Sequence, residues 1–282
     1  MDVSVVMTAL DEPYVNKTID DIIEKTGRRL KEIIVIDDNS KEPVSHPEAK
    51  VIRNDRRRGL IWGRNHGTEI AKSDMIISID PHCSVTKGWM VPMMNRLSQD
   101  YNCVVAPKTW QLNPETWTTG NRRNVGRATN WKWNLEFRWN NKAGGKITPA
   151  VCGHCFAFTK AWWEESGRFD NEMRTWGGEN IEFTLRTWLF GGSVELVNCF
   201  VSHWFKKKFQ YTFPDGHLRF NKCRVAEVWF DGYVNKFYDA IKQTRGSIDF
   251  GDIQDRLRIK AKKQVRSMDW FIDNIQPHLR DE

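Results

Sequence analysis

The chain has 282 residues, 40% of them hydrophobic, enough to bury a sizeable core in one large α/β domain or in such a domain with a helical appendage. Its formal charge of +7 is concentrated at Arg56-Arg57-Arg58, at Arg122, Arg123 and Arg127, and at Lys206-Lys207-Lys208; a basic surface favours phosphates, of a sugar nucleotide or of nucleic acid, although any one cluster also reads as a solvated face. No run reaches the ~18 apolar residues of a membrane span, the opening Val3-Ser4-Val5-Val6-Met7 is strand-like rather than signal-like, and the cysteines form no dense disulfide framework, so a cytoplasmic protein is expected.

Val3 to Thr8 reads as a strand, Val15 to Lys25 as a helix, Glu32 to Ile36 as a second strand and Val51 to Arg53 as a short third. Met75 to Ile79 is largely apolar and ends at Asp80, the pattern of a buried parallel strand. Strands alternating with helices predict βαβ units and an α/β fold with a mostly parallel central sheet. Ligands of such sheets sit beyond the carboxyl ends of the strands, where both Asp37-Asp38-Asn39-Ser40 and Asp80-Pro81-His82 fall.

Trp110 to Pro149, rich in Trp, Asn, Gly and Arg, predicts a long irregular region bordering a site. The lone pair Cys152 and Cys155 reads as buried packing rather than as a zinc or redox motif. Ile181, Leu185, Trp188 and Leu189 share one helical face, closed by Gly191-Gly192. From about Val225 the chain reads as helices, with Leu257, Ile259, Val265, Trp270, Phe271 and Ile275 as packing residues. Most of the 14 tryptophans are expected in the core and a few as stacking platforms for sugars or bases.

In an extended segment residues i and i+2 point to one side, so Asp80 and His82 can face one ion together. With His203 from another segment they can grip one divalent metal, and mixed oxygen and imidazole ligation suits Mn²⁺ or a similar ion better than Ca²⁺. Each string alone also reads structurally: Asp37-Asp38 as an Asx turn, His203 as a satisfied histidine, Trp176-Gly177-Gly178 as a tight turn.

Taken in order, Asp37-Asp38-Asn39-Ser40, Arg53 to Leu60, Asp80-Pro81-His82-Cys83, Trp176-Gly177-Gly178-Glu179-Asn180 and Tyr211-Thr212-Phe213-Pro214 resemble the catalytic domain of the polypeptide N-acetylgalactosaminyltransferases. Ala226-Glu227-Val228-Trp229 and Gly251-Asp252-Ile253 extend the resemblance over nearly the whole chain. It implies a retaining, metal-dependent glycosyltransferase with a GT-A (Rossmann-like) fold and C-terminal helices. One domain over 1–282 is expected, with a nucleotide-binding half (1–110), a donor-sugar and acceptor half (111–224) and a helical extension (225–282).

The resemblance implies that Asp80, His82 and His203 hold Mn²⁺ against the diphosphate of a UDP-sugar, with Thr8, Asp37, Arg57 and Arg64 around the uridine. Tyr211 and Trp176 would lie near the diphosphate, and Glu179 and Asn180 against the sugar. Lys206 replaces a family arginine and keeps the charge without the bidentate geometry. Gly153-His154 stands where the family has two glycines, so the transferred hexose or N-acetylhexosamine is left open; Leu10 and Phe209 replace family histidines.

Two acceptors are weighed first, with the DNA base ahead of the polypeptide. A hydroxymethylpyrimidine base in DNA is favoured by the expected cytoplasmic setting, by Arg122, Arg123 and Arg127 and by the tryptophans. Ser or Thr of a polypeptide is favoured by the resemblance. A surface polysaccharide is a third candidate, and a catalytically silent protein that binds sugar nucleotide or nucleic acid is the alternative of another class.

Overall fold

A computed structural model describes residues 2–120, 129–139, 145–206 and 211–282. Arg122, Arg123, Arg127, Lys207, Lys208 and Phe209 lie outside the described residues.

The first half alternates strands and helices as its sequence predicts. Strands β1 (Val3–Ala9), β2 (Leu30–Asp37), β3 (Lys50–Arg53) and β4 (Met75–Ile79) flank helices α1 (Val15–Thr26) and α2 (Leu60–Ile70). They pair in parallel in the order β3-β2-β1-β4. Beyond them come β5 (Cys83–Val85), α3 (Met90–Gln99), β6 (Cys103–Asn113), β7 (Thr118–Thr119), β8 (Thr129–Trp131) and β9 (Phe137–Trp139). Next are β10 (Cys155–Thr159), α4 (Lys160–Glu165), α5 (Glu179–Leu189) and β11 (Ser193–His203). The sheet continues as β4-β10-β6-β11-β5, where β10 runs antiparallel to β4 and β6, and β11 runs parallel to β6.

Both faces of this sheet are covered, which is why its strands read as apolar runs rather than as alternating ones. Val3, Val5 and Met7 join Ile77, Ile79 and Trp89 in one core layer. Val6 points the other way, to Ile34, Ile76, Phe156 and Phe158. That second layer also receives α6 (His217–Trp229), α7 (Val234–Ala240), α8 (Gln254–Lys263) and α9 (Met268–Asn274), so the C-terminal helices share the core of the sheet.

Two expectations need correction. Residues 110–149 are not irregular throughout: β6 runs through Trp110 to Asn113, and β8 and β9 form an antiparallel pair. Strands of three residues are too short for a two-residue period to emerge against the intervening Asn and Gly. Val265 does not pack but is 72% exposed, because α8 has ended at Lys263 and its helical period no longer applies; Met268 and Ile272 are buried instead. Among the described residues no helix is long and apolar enough to cross a membrane.

Candidate active site

Backbone register, more than any attraction between side chains, assembles the metal-ligand set. Asp80 follows β4 directly, and the antiparallel neighbour β10 places His154 beside it, with Asp80 N–H donating to His154 O at 2.8 Å. Strand β5 pairs antiparallel with β11 so that His203 lies opposite Cys83, and Trp204 N–H donates to His82 O at 3.2 Å. Segments more than a hundred residues apart in sequence are thus clamped at one end of the sheet.

The side chains converge accordingly. His82 Nε2 and His203 Nε2 are 3.0 Å apart, while Asp80 Oδ2 stands 3.4 Å from His203 Nε2 and 3.9 Å from His82 Nε2. Two ligand nitrogens each about 2.1 Å from one ion at a right angle would be about 3.0 Å apart. Burial resists ionisation of Asp80, but the hydrogen bond from His203, the neighbouring imidazoles and the charge of Arg64 outweigh it and hold its carboxyl well below the usual range. Burial holds the His203 imidazole below its usual value and therefore neutral. A charged carboxylate and a neutral imidazole are the forms that bind a divalent cation, so the donor set fits the expected ion.

Sequence reasoning missed Glu12. Its buried carboxylate accepts from His82 Nδ1 at 3.1 Å through one oxygen and from Lys206 Nζ through the other. The available signal was position: Glu12 lies in the turn just after β1, at the same end of the sheet as Asp37 and Asp80.

These residues line a cavity of about 400 Å³ together with Thr8, Leu10, Arg57, Arg64, Gly153, His154, Trp176, Glu179, Asn180 and Tyr211. Arg64 is fixed at its base: Nε donates to Ser78 Oγ at 3.1 Å, Nη1 to Glu179 Oε1 at 2.7 Å and Nη2 to Gly153 O. Glu179 opens α5, and its second oxygen accepts from Gly177 N–H at 2.9 Å across a turn in which Gly177 and Gly178 both have positive φ. Asn180 donates to Val151 O at 2.7 Å. Trp176, 38% exposed, stands at the mouth with Phe213, their ring centroids 5.0 Å apart, and Arg57 lies over the Tyr211 ring.

Thr8 lines the wall, with its Oγ1 buried against Gly63 and without a hydrogen-bond partner. Asp37 is placed differently. Its carboxylate accepts from Ser40 N, Val44 N and Arg53 Nη1, and it does not line the cavity; neighbouring Asp38 does, closing the loop through Asn54, Arg58 N and Gly59 N. His154 is buried, with Nε2 3.0 Å from Thr109 Oγ1 and its ring centroid 4.8 Å from that of His203. Cys152 lines the cavity, and burial raises its thiol to about 12, so it is neutral; like the five other cysteines it is unpaired.

Residues 4–167 match the model of glycosyl transferase family 2. The chain belongs to glycosyl transferase family 2. Residues 140–211 also match the model described as the N-terminal domain of galactosyltransferase. Polypeptide N-acetylgalactosaminyltransferase 14 of Homo sapiens is 34% identical over 285 residues, 93% of this chain and 51% of that protein. Polypeptide N-acetylgalactosaminyltransferase 4 of Caenorhabditis elegans is 34% identical over 276 residues, 89% of this chain and 46% of its own. This family 2 chain therefore spans about half the length of the curated relatives it matches.

Among solved structures, GalNAc-T7 with UDP, GalNAc and Mn²⁺ superposes with a TM-score of 0.88 at 26% identity, over 99% of this chain and 58% of that one. TarS of S. aureus in complex with UDP-GlcNAc, at 12% identity and a TM-score of 0.57 over 98% of this chain and 74% of its own, shares the fold alone. The family 2 assignment and these neighbours agree with the GT-A fold read from the sequence.

Proposed function

We propose that this chain transfers a sugar from a UDP-sugar to a Ser or Thr hydroxyl of a polypeptide, with a divalent metal such as Mn²⁺ at Asp80, His82 and His203. The convergence of those three residues in the wall of the cavity carries the reading, and homology to polypeptide transferases supports the acceptor. When bound, the ion supplies positive charge to the departing diphosphate. The chain does the rest. Lys206 and Arg57 place fixed cations at the cavity wall, Thr8 lines the wall on the nucleoside side, and Arg64, Glu179 and Asn180 form a pre-organised floor for the sugar.

Among the described residues the carboxylates lining the cavity are Glu12, Asp38, Asp80 and Glu179. Glu12 is held by His82 and Lys206, Asp38 by the Arg58 and Gly59 amides, Asp80 faces the ligand set, and Glu179 is held by Arg64 and Gly177. None is free to attack the sugar from the opposite face or to serve as a dedicated base. The reading is therefore a retaining transfer: the hydroxyl oxygen bonds to the anomeric carbon on the face that UDP leaves, the bond to the diphosphate breaks, and the hydroxyl proton passes to a phosphate oxygen.

The DNA acceptor favoured on sequence finds no support among these relatives. The side chain of Lys206 is buried on Glu12 rather than spread on a surface. Many tryptophans go to the core, among them Trp89, Trp131, Trp163 and Trp229. The test is a panel of UDP-hexoses and UDP-N-acetylhexosamines against a Ser/Thr-rich peptide and hydroxymethylated DNA, read by mass. Sugar mass on the peptide is expected; sugar mass on DNA alone would overturn the acceptor. Both sugar classes are included because His154 stands in the cavity wall.

A further inference from the structure

We propose that Glu12 is a positioning residue that fixes the tautomer of His82 and so decides whether this histidine can bind a metal. The inference rests on the reading of Asp80, His82 and His203 as a metal site. The Glu12 side chain is 3% exposed and both of its oxygens accept: Oε2 from His82 Nδ1 at 3.1 Å, Oε1 from Lys206 Nζ. A carboxylate is an acceptor only, so it requires the proton of His82 on Nδ1 and leaves the Nε2 lone pair facing Asp80 and His203. His203 has no such anchor, for its Nδ1 is buried without a hydrogen-bond partner.

Lys206 makes the arrangement exacting. An ammonium group only donates, so at position 12 it competes for an oxygen and repels an NH₂. A glutamine at position 12 has one oxygen and one donor NH₂. With Lys206 on the oxygen, the NH₂ faces His82 Nδ1, and the imidazole can adapt only by moving its proton to Nε2. That tautomer has no lone pair for the metal. Glu12→Gln keeps the shape and volume of the side chain, so a role confined to packing would leave metal binding intact.

The experiment is Mn²⁺ titration of the whole chain without donor or acceptor, with free ion read by electron paramagnetic resonance and folding checked by urea unfolding. Glu12→Gln is expected to weaken Mn²⁺ binding by about tenfold or more, as loss of a carboxylate partner to a metal-bound histidine does. The double variant Glu12→Gln, Lys206→Met is expected to recover most of that loss, because the amide oxygen is then released to accept from His82 Nδ1. Mn²⁺ affinity unchanged in Glu12→Gln, or a double variant as weak as the single, would overturn the proposal. His82→Ala separates the two claims: if it binds Mn²⁺ as the wild type does, the metal site itself is refuted. If Glu12→Gln does not fold, nitrogen-15 chemical shifts of wild-type His82 still decide, with a protonated Nδ1 expected and a protonated Nε2 overturning the proposal.

Discussion

Arg64 and Glu179 form an ion pair whose side chains are 2% and 4% exposed, at 2.7 Å. Arg64→Met would strip the guanidinium from Ser78 Oγ, Gly153 O and Glu179 and leave that carboxylate with the Gly177 amide alone. Breaking one side of such a buried pair costs about 3–5 kcal/mol, a large part of a total stability of roughly 5–15 kcal/mol. Glu179→Met should cost a similar amount by stranding the guanidinium, eased by Asp80 at 3.9 Å. The double variant removes both charges, so its cost should fall short of the sum of the singles by about 2 kcal/mol or more. Urea unfolding of the four proteins in EDTA measures the cycle. Additive singles would show that the pair is not coupled and would refute the view of Arg64 and Glu179 as a mutually fixed floor.

Other outcomes follow from the same geometry. Gly59 has φ +96°, and a Cβ there would lie 2.4 Å from Thr175 Cα, so Gly59→Ala should cost on the order of 3 kcal/mol; an unchanged melting temperature would contradict this. Burial lowers both His154 and His203 below their usual value, so in EDTA the unfolded chain takes up protons below about pH 6.5 that the native chain refuses. Stability should therefore fall as pH drops through about 6.5, at a slope of at most about 1.4 kcal/mol per pH unit for each histidine and shallower in His154→Gln; a flat profile would count against the burial of both rings. The anomeric configuration of the product, read by proton NMR, should match that of the donor, and inversion would require a free base that the described cavity lacks.

Among the first-half strands, β1 and β4 were legible as apolar runs buried on both faces. Met75–Ile79 was read to the residue, and β1, β2 and β3 to within one or two residues. Helix α5 was readable from the spacing of Ile181, Leu185, Trp188 and Leu189 and from Gly191, whose φ is positive. Strands β10 and β11 were not read, although they seat His154 and His203. In β11 only Val194, Cys199, Val201, Ser202 and His203 are buried, so no two-residue alternation marks it. Asp80, His82 and His203 were legible as residue types, but their meeting depends on the pairing of β5 with β11, which no local pattern encodes. Glu12 escaped because a single carboxylate after a strand has no periodic signal, and its role exists only once His82 and Lys206 arrive on either side of it.

The most direct test of the account is sugar transfer to a Thr-rich peptide from a UDP-sugar in Mn²⁺, followed by intact mass, with wild type, wild type in EDTA and His203→Ala side by side. The account predicts one added sugar for the wild type in Mn²⁺ and none in the other two. Equal transfer in EDTA or by His203→Ala would contradict the claim that Asp80, His82 and His203 hold the ion on which the reaction depends.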